Sequence, residues 1–148
     1  MILSKTSSYA MRILMYMASK ESILCSAEAI YKELGIKKQY MRRLLTGLTK
    51  AGFIKSVRGR NGGYALARNP ETIYISEVID NIDGFVSYNT CILGIDDCRR
   101  AEKCSMHKVW DETKAIIIST FRTTSIAYLA SYGLNEADSM LIRKIKPN

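Results

Sequence analysis

The 148-residue chain has one histidine, two prolines and four cysteines, and its first seventy residues hold only three acidic side chains. Each scarcity excludes something. A single histidine cannot serve a nucleophile–histidine–carboxylate set and a metal site at once. The sequence also lacks paired catalytic carboxylates and a glycine-rich phosphate loop, so an enzyme is not expected. No apolar stretch approaches the roughly 20 residues that a membrane span needs, and no membrane partner is expected. The opening "MILSKTSSYAMRILMYMASK" is interrupted by basic residues and followed by no processing site, which does not fit a secretory signal. The expected location is therefore cytoplasmic, with cysteines that are reduced or metal-bound rather than paired as disulfides.

The shortage of acid in the first half is the most informative of these features. Residues 1–70 hold thirteen Lys/Arg against three Asp/Glu, whereas residues 71–148 hold nine against eleven. The net charge of +8 is thus concentrated in one half. A solvated basic surface and a footprint for a polyanion both account for that asymmetry.

The local pattern separates these readings. Tyr9, Ile13, Leu14 and Met17 recur at helical spacing and predict a first helix over about residues 5–19. Ser26 is a suitable N-cap for a second helix in "SAEAIYKEL", which turns Ile30 and Leu34 to the core and ends at Gly35. A third helix follows in "KKQYMRRLLTGLTKAG", with Met41, Leu44, Leu45 and Leu48 as its buried stripe and Gly52 at its end. Its opposite face carries Lys38, Gln39, Arg42 and Arg43 in the half that approaches base edges in a helix-turn-helix. Two β-prone runs, 53–57 and 64–67, flank a basic turn with Arg58 and Arg60 at its tip. There Asn61-Gly62-Gly63 supplies residues that tolerate positive φ. A basic hairpin directly after a helix-turn-helix is the pattern of a winged helix. Arg suits minor-groove or backbone contact in such a wing.

In the second half, "NPETIYISEVIDNIDG" reads as a short extended piece and then a helix near residues 76–82, bracketed by Pro70 and Gly84, before an aperiodic stretch that holds three of the four cysteines. A long helix then begins near Met106. Trp110, Thr113, Ile117 and Phe121 form its apolar face, joined by Val109 and Ile116. That face suits packing on its own domain or on a partner, and a long helix projecting from a small domain favours a partner. Thr124 or Ser125 caps a last helix, "IAYLAS", and a basic tail, "IRKIKPN", closes the chain.

Cys91, Cys98, Cys104 and His107 are separated by six, five and two residues. Three thiols and an imidazole suffice for a closed tetrahedral zinc site or for an iron–sulfur cluster. No tight Cys-x2-4-Cys knuckle is present, which argues mildly against zinc, and spacing leaves both open. Arg99, Arg100 and Lys103 lie between the ligands and would offset thiolate charge. Cys25 stands apart from this set at a helix start, in a context that suits a core residue, with a thiol switch as the lesser alternative.

Several of these stretches together resemble the IscR-type (Rrf-two) family of bacterial winged-helix iron–sulfur regulators. They are "LSKTSSYAMRIL", "GIKKQYMRRLLTGLTKAGFIKSVRGRNGGYALAR" and "CSMHKVW". The central block is the most specific, with Tyr40, Leu44, Leu48, Gly52, Arg58-Gly59 and Gly62-Gly63-Tyr64 matching the family's helix and wing. The resemblance implies a homodimer that reads near-palindromic double-stranded DNA operators. It also implies a 2Fe–2S cluster on Cys91, Cys98, Cys104 and His107, with zinc as the alternative. Arg42 stands where the IscR branch carries an acidic residue, so target genes do not carry over.

The expectation is a mainly α protein with a small β-hairpin wing: a winged helix-turn-helix followed by a long C-terminal dimerisation helix. Residues 1–84 would bind DNA, 85–106 would form a cysteine-rich cluster loop, and 107–148 would supply the dimerisation helix and tail. The DNA-contacting set is Lys38, Gln39, Tyr40, Arg42, Arg43, Arg58, Gly59, Arg60, Asn61, Gly62 and Gly63. The dimer seam is Trp110, Thr113, Ile117 and Phe121. The function expected is transcription regulation through cluster-controlled operator binding, with an unassigned small-molecule signal. A nitric-oxide or redox-sensing repressor of the same family is one alternative, and a zinc- or cluster-binding redox or carrier protein is the alternative from another class.

Overall fold

The computed structural model of the chain describes residues 3–20, 24–84, 91 and 104–132. Cys98, most of the cysteine-rich stretch with its basic residues, and the basic tail lie outside the described residues.

Three helices, α1 (Lys5–Ser19), α2 (Ala27–Leu34) and α3 (Lys38–Lys50), precede a hairpin of β1 (Ile54–Val57) and β2 (Gly63–Leu66). The expected boundaries hold closely, because the caps are encoded locally. Ser4 and Ser26 accept first-turn amides with their side chains, and Gly35 and Gly52 end α2 and α3 at φ 63° and 76°. At the end of α3 the Phe53 amide donates to Leu48 O and the Gly52 amide to Thr49 O. This paired closure turns the chain directly into β1.

The stripes read from the sequence form the core. Ile13, Leu14, Ile30 and Leu45 are fully enclosed, as are Ile73, Val78 and Ile79 from further along the chain. Each such side chain contributes about 1.5–3 kcal/mol through burial. Cys25 is also in this core, at 5% exposure. Its backbone exchanges two 2.8 Å hydrogen bonds with Tyr64, so the segment before α2 adds a one-residue bridge beside β2.

The hairpin is antiparallel, with Ile54 opposite Leu66 and Val57 opposite Gly63. Its turn differs from the expectation. Positive φ falls on Gly59, at 120°, and not on Asn61, Gly62 or Gly63. Gly62 and Gly63 are needed for space instead. A Cβ on Gly62 would lie 2.2 Å from Val57 O, and one on Gly63 would lie 2.7 Å from Cys25 O.

Beyond the wing, the expected extended piece is confined to Ile73 and Tyr74, and Pro70–Thr72 before it form a single 3-10 turn. Asn69 nucleates it by accepting the Glu71 amide, and proline suits the first position of such a turn. Helix α4 (Ile75–Asp83) packs on α1 and α5 (Ser105–Thr123) packs on α4, while α6 (Ile126–Ser131) returns to α1. The return is fixed by the Ile126 amide donating to Ile73 O at 2.8 Å and the Ile75 amide donating to Thr124 O at 3.1 Å. Ile126 is fully buried. Among the described residues no helix is long and apolar enough to cross a membrane.

Candidate functional site

Helix α3 buries Met41, Leu44, Leu45 and Leu48, which forces Lys38, Gln39, Arg42 and Arg43 outward, and all four are exposed. No acidic residue stands in its first turn, and Lys37 makes no side-chain cap. This helix start therefore presents positive charge and helix dipole together, the electrostatics a phosphate backbone needs. Lys37 itself and Lys55 on β1 are also exposed. They extend the basic surface beyond the residues expected from sequence, and their charge alone was the available signal. Arg58, Gly59, Arg60 and Asn61 are exposed at the wing tip, while Gly62 and Gly63 are half-buried at its base.

Tyr40 occupies a different position from its charged neighbours. It is half-buried, its hydroxyl donates to Thr6 Oγ1 at 2.9 Å, and its ring meets Tyr9 edge-on at 5.8 Å. The same first turn of α1 holds Ser7, the one fully buried polar residue among those described. Ser7 Oγ donates to Asp83 Oδ2 at 2.8 Å. A hydroxyl taken into the core must find such a partner, because an unpaired buried hydroxyl is costly. Sequence pattern gave no hint of this pair, whose members are 76 residues apart. Nearby, Arg12 lies over the Tyr9 ring at 5.3 Å and donates from Nη2 to Leu34 O at 3.4 Å. Burial lowers the pKa of its guanidinium, which Tyr9 partly counteracts.

Of the four proposed ligands, Cys91, Cys104 and His107 are described, and the two cysteines are half-buried free thiols. Cys104 is the N-cap of α5 and makes no side-chain cap bond. His107 lies three residues on, with its amide donating to Cys104 O at 3.1 Å. Cys104 thus stands at the cap and His107 within the first turn, joined through that backbone bond. A thiol and an imidazole together are a donor set that suits iron or zinc. Among the described residues no three Cys, His, Asp or Glu side chains close around one metal position.

The expected dimer seam is distributed unevenly. Trp110, Ile117 and Phe121 are half-buried and Thr113 is exposed, with its hydroxyl turned back to Val109 O at 2.7 Å. No residue of α5 is fully buried. Val109 and Ile116 are 55% and 68% exposed, so the helix carries an apolar face that its own domain does not cover.

Comparison with known proteins places this geometry. Residues 3–132 match the Rrf2 family, described as iron-dependent transcriptional regulator. The chain is 32% identical over 128 residues to an HTH-type transcriptional regulator of Aquifex aeolicus, covering 85% of this chain and 89% of that one. It is 33% identical over 100 residues to the HTH-type transcriptional regulator IscR of Xenorhabdus nematophila, covering 68% of this chain and 60% of that one. Among solved structures, CymR, the global cysteine regulator of B. subtilis, matches with TM-score 0.73 at 24% identity, over 88% of this chain and 96% of that chain. IscR of T. potens matches with TM-score 0.65 at 24% identity, over 99% and 93% of the two chains. The class is that of DNA-binding winged-helix transcription regulators, whose members are not enzymes. Within that class, the chain belongs to the Rrf2 family, whose regulators typically act as dimers.

Proposed function

We propose that the chain is a cytoplasmic, homodimeric regulator whose affinity for a near-palindromic operator is set by a 2Fe–2S cluster on Cys91, Cys98, Cys104 and His107. The observation that carries the cluster reading is the placement of Cys104 at the N-cap of α5 and His107 in its first turn. When bound, such a cluster supplies an oxidant-sensitive link between the loop and that helix.

The chain's own residues supply the rest. Lys38, Gln39, Arg42 and Arg43 enter the major groove, where Arg grips guanine through two parallel hydrogen bonds. Tyr40 fixes the pitch of the helix through Thr6. Arg58 and Arg60 hold phosphate or the minor groove, and Gly59, Asn61, Gly62 and Gly63 shape the wing that carries them. Trp110, Ile117 and Phe121, with Thr113 and the exposed Val109 and Ile116, form the seam between two copies.

Asp83 ends α4, directly before the cysteine-rich stretch, and Ser7 ties it to α1. Thr6, the residue before Ser7, receives Tyr40 from the reading helix. The root of the loop and the reading helix therefore grip the same turn of α1. A change at the loop acts on DNA binding only if it favours one arrangement of that turn over another. Iron, zinc and acid-labile sulfide content of anaerobic protein, with DNA affinity before and after chelation, tests the proposal. Cluster-dependent affinity supports it. Zinc without sulfide, and affinity unmoved by chelation, would make the loop a structural clip.

A further inference from the structure

His107 is the chain's only histidine, and its ring is already engaged. Nε2 lies 3.1 Å from Asp111 Oδ2, one helical turn on. The other oxygen of that carboxylate, Oδ1, is 2.7 Å from Lys114 Nζ. The three side chains form a row along α5: Lys114 holds Asp111, and Asp111 holds His107. An i,i+4 pair on an exposed helix adds little to stability, so stability gives the row little purpose. What it does impose is a choice between the two ring nitrogens. A neutral imidazole has one N–H and one lone pair, and the partner of the N–H decides which nitrogen keeps the lone pair. Histidines that bind metals usually direct their other N–H to a carboxylate in this way.

We infer that Asp111 is the positioning residue for His107: it accepts the Nε2–H, fixes the tautomer with the lone pair on Nδ1, and so makes Nδ1 the ligand atom. The inference rests on the proposed cluster site. The direction of the helix agrees with it. Side chains on a helix lean toward its N-terminus, the side on which Cys104 lies, while Asp111, one turn toward the C-terminus, takes Nε2. Lys114 keeps the carboxylate in place and offsets its charge. Sequence alone offered one signal, the i,i+4 spacing of His107 and Asp111.

Because the chain has one histidine, isotope labelling of that residue is unambiguous. Anaerobic wild-type protein is prepared with histidine carrying 15N at Nδ1 only or at Nε2 only. The cluster is reduced by one electron and nitrogen hyperfine couplings are read by pulsed EPR. The expected result is a strong coupling from the Nδ1-labelled sample and a several-fold weaker one from the Nε2-labelled sample. Asp111→Ala should lose this selection and release iron to a chelator about tenfold faster, the low end of the 10–100-fold loss typical of such supporting groups. Asp111→Asn, which keeps a carbonyl oxygen to accept the Nε2–H, should restore the Nδ1 pattern. Strong coupling from Nε2 would overturn the inference and leave the cluster proposal intact. So would an Asp111→Ala variant that matches wild type in both couplings and iron release. A cluster without any histidine coupling would remove His107 as a ligand, and absent iron and sulfide would remove the cluster reading along with the inference.

Discussion

Arg42 and Arg43 differ from Arg58 and Arg60 in what holds them. The first two stand on a helix pinned by four buried side chains, so they can hold a fixed angle to a base edge. The other two sit on a hairpin turn. Arg42→Ala or Arg43→Ala is therefore expected to weaken a selected operator by about 1–3 kcal/mol for a lost paired base contact and random DNA by less. Arg58→Ala or Arg60→Ala should weaken both alike and flatten the salt dependence by about one counterion per contact. Binding titrations on both DNAs at several salt concentrations check this, and uniform loss in the Arg42 and Arg43 variants would reduce them to phosphate contacts. Gly63 makes a separate test. Alanine there would press on the backbone oxygen of Cys25 at 2.7 Å and strain the bridge to Tyr64. The expected destabilisation is about 1–3 kcal/mol, as for other overpacked sites, and denaturant unfolding measures it. The sequence marked these glycines as turn residues, which was the wrong reason. A close approach between residues 25 and 63 depends on how the chain folds back, and no local pattern encodes it.

Among the elements, α1 to α3 were legible because their apolar spacing and their caps lie within a few residues of one another. Helix α5 was legible as a helix but not as to what it packs against. The same four-residue rhythm serves a core or a dimer seam. Only the structure separates the half-buried Trp110, Ile117 and Phe121 from the exposed Val109 and Ile116. That separation gives a cleaner test of the dimer than Ile117 offers. Ile116 is 68% exposed in the single chain, so Ile116→Asp should leave the fold intact. A charge in the apolar seam of a dimer has no partner and is strongly unfavourable. Sedimentation should show folded monomers at micromolar concentration, and an unchanged dimer would place the interface elsewhere. The return of α6 onto α1 was not foreseen. Six residues carry too little periodicity, and the bonds that dock them come from Ile73 and Ile75, some fifty residues upstream.

For the whole molecule, the basic half and the cysteine-rich half were each visible as compositions, and the resemblance joined them into one regulator. Helices α4 and α6 of the second half pack on α1, and the first turn of α1 is held by Tyr40 on one side and Asp83 on the other. Ser7→Ala should keep the cluster and the dimer but narrow the difference in operator affinity between cluster-loaded and cluster-free protein. Equal differences in wild type and variant would show that the loop acts by another route. The central claim, that cluster status governs DNA reading, is met most directly by one titration. Anaerobic protein with iron and sulfide assayed in the same sample is bound to an operator selected from random sequence, then stripped by chelation and bound again. The expected result is iron and sulfide in equal amounts, one cluster per chain, and an affinity for that operator that shifts at least tenfold on stripping while random DNA is bound as before. Iron and sulfide present with the same operator affinity before and after stripping would contradict it.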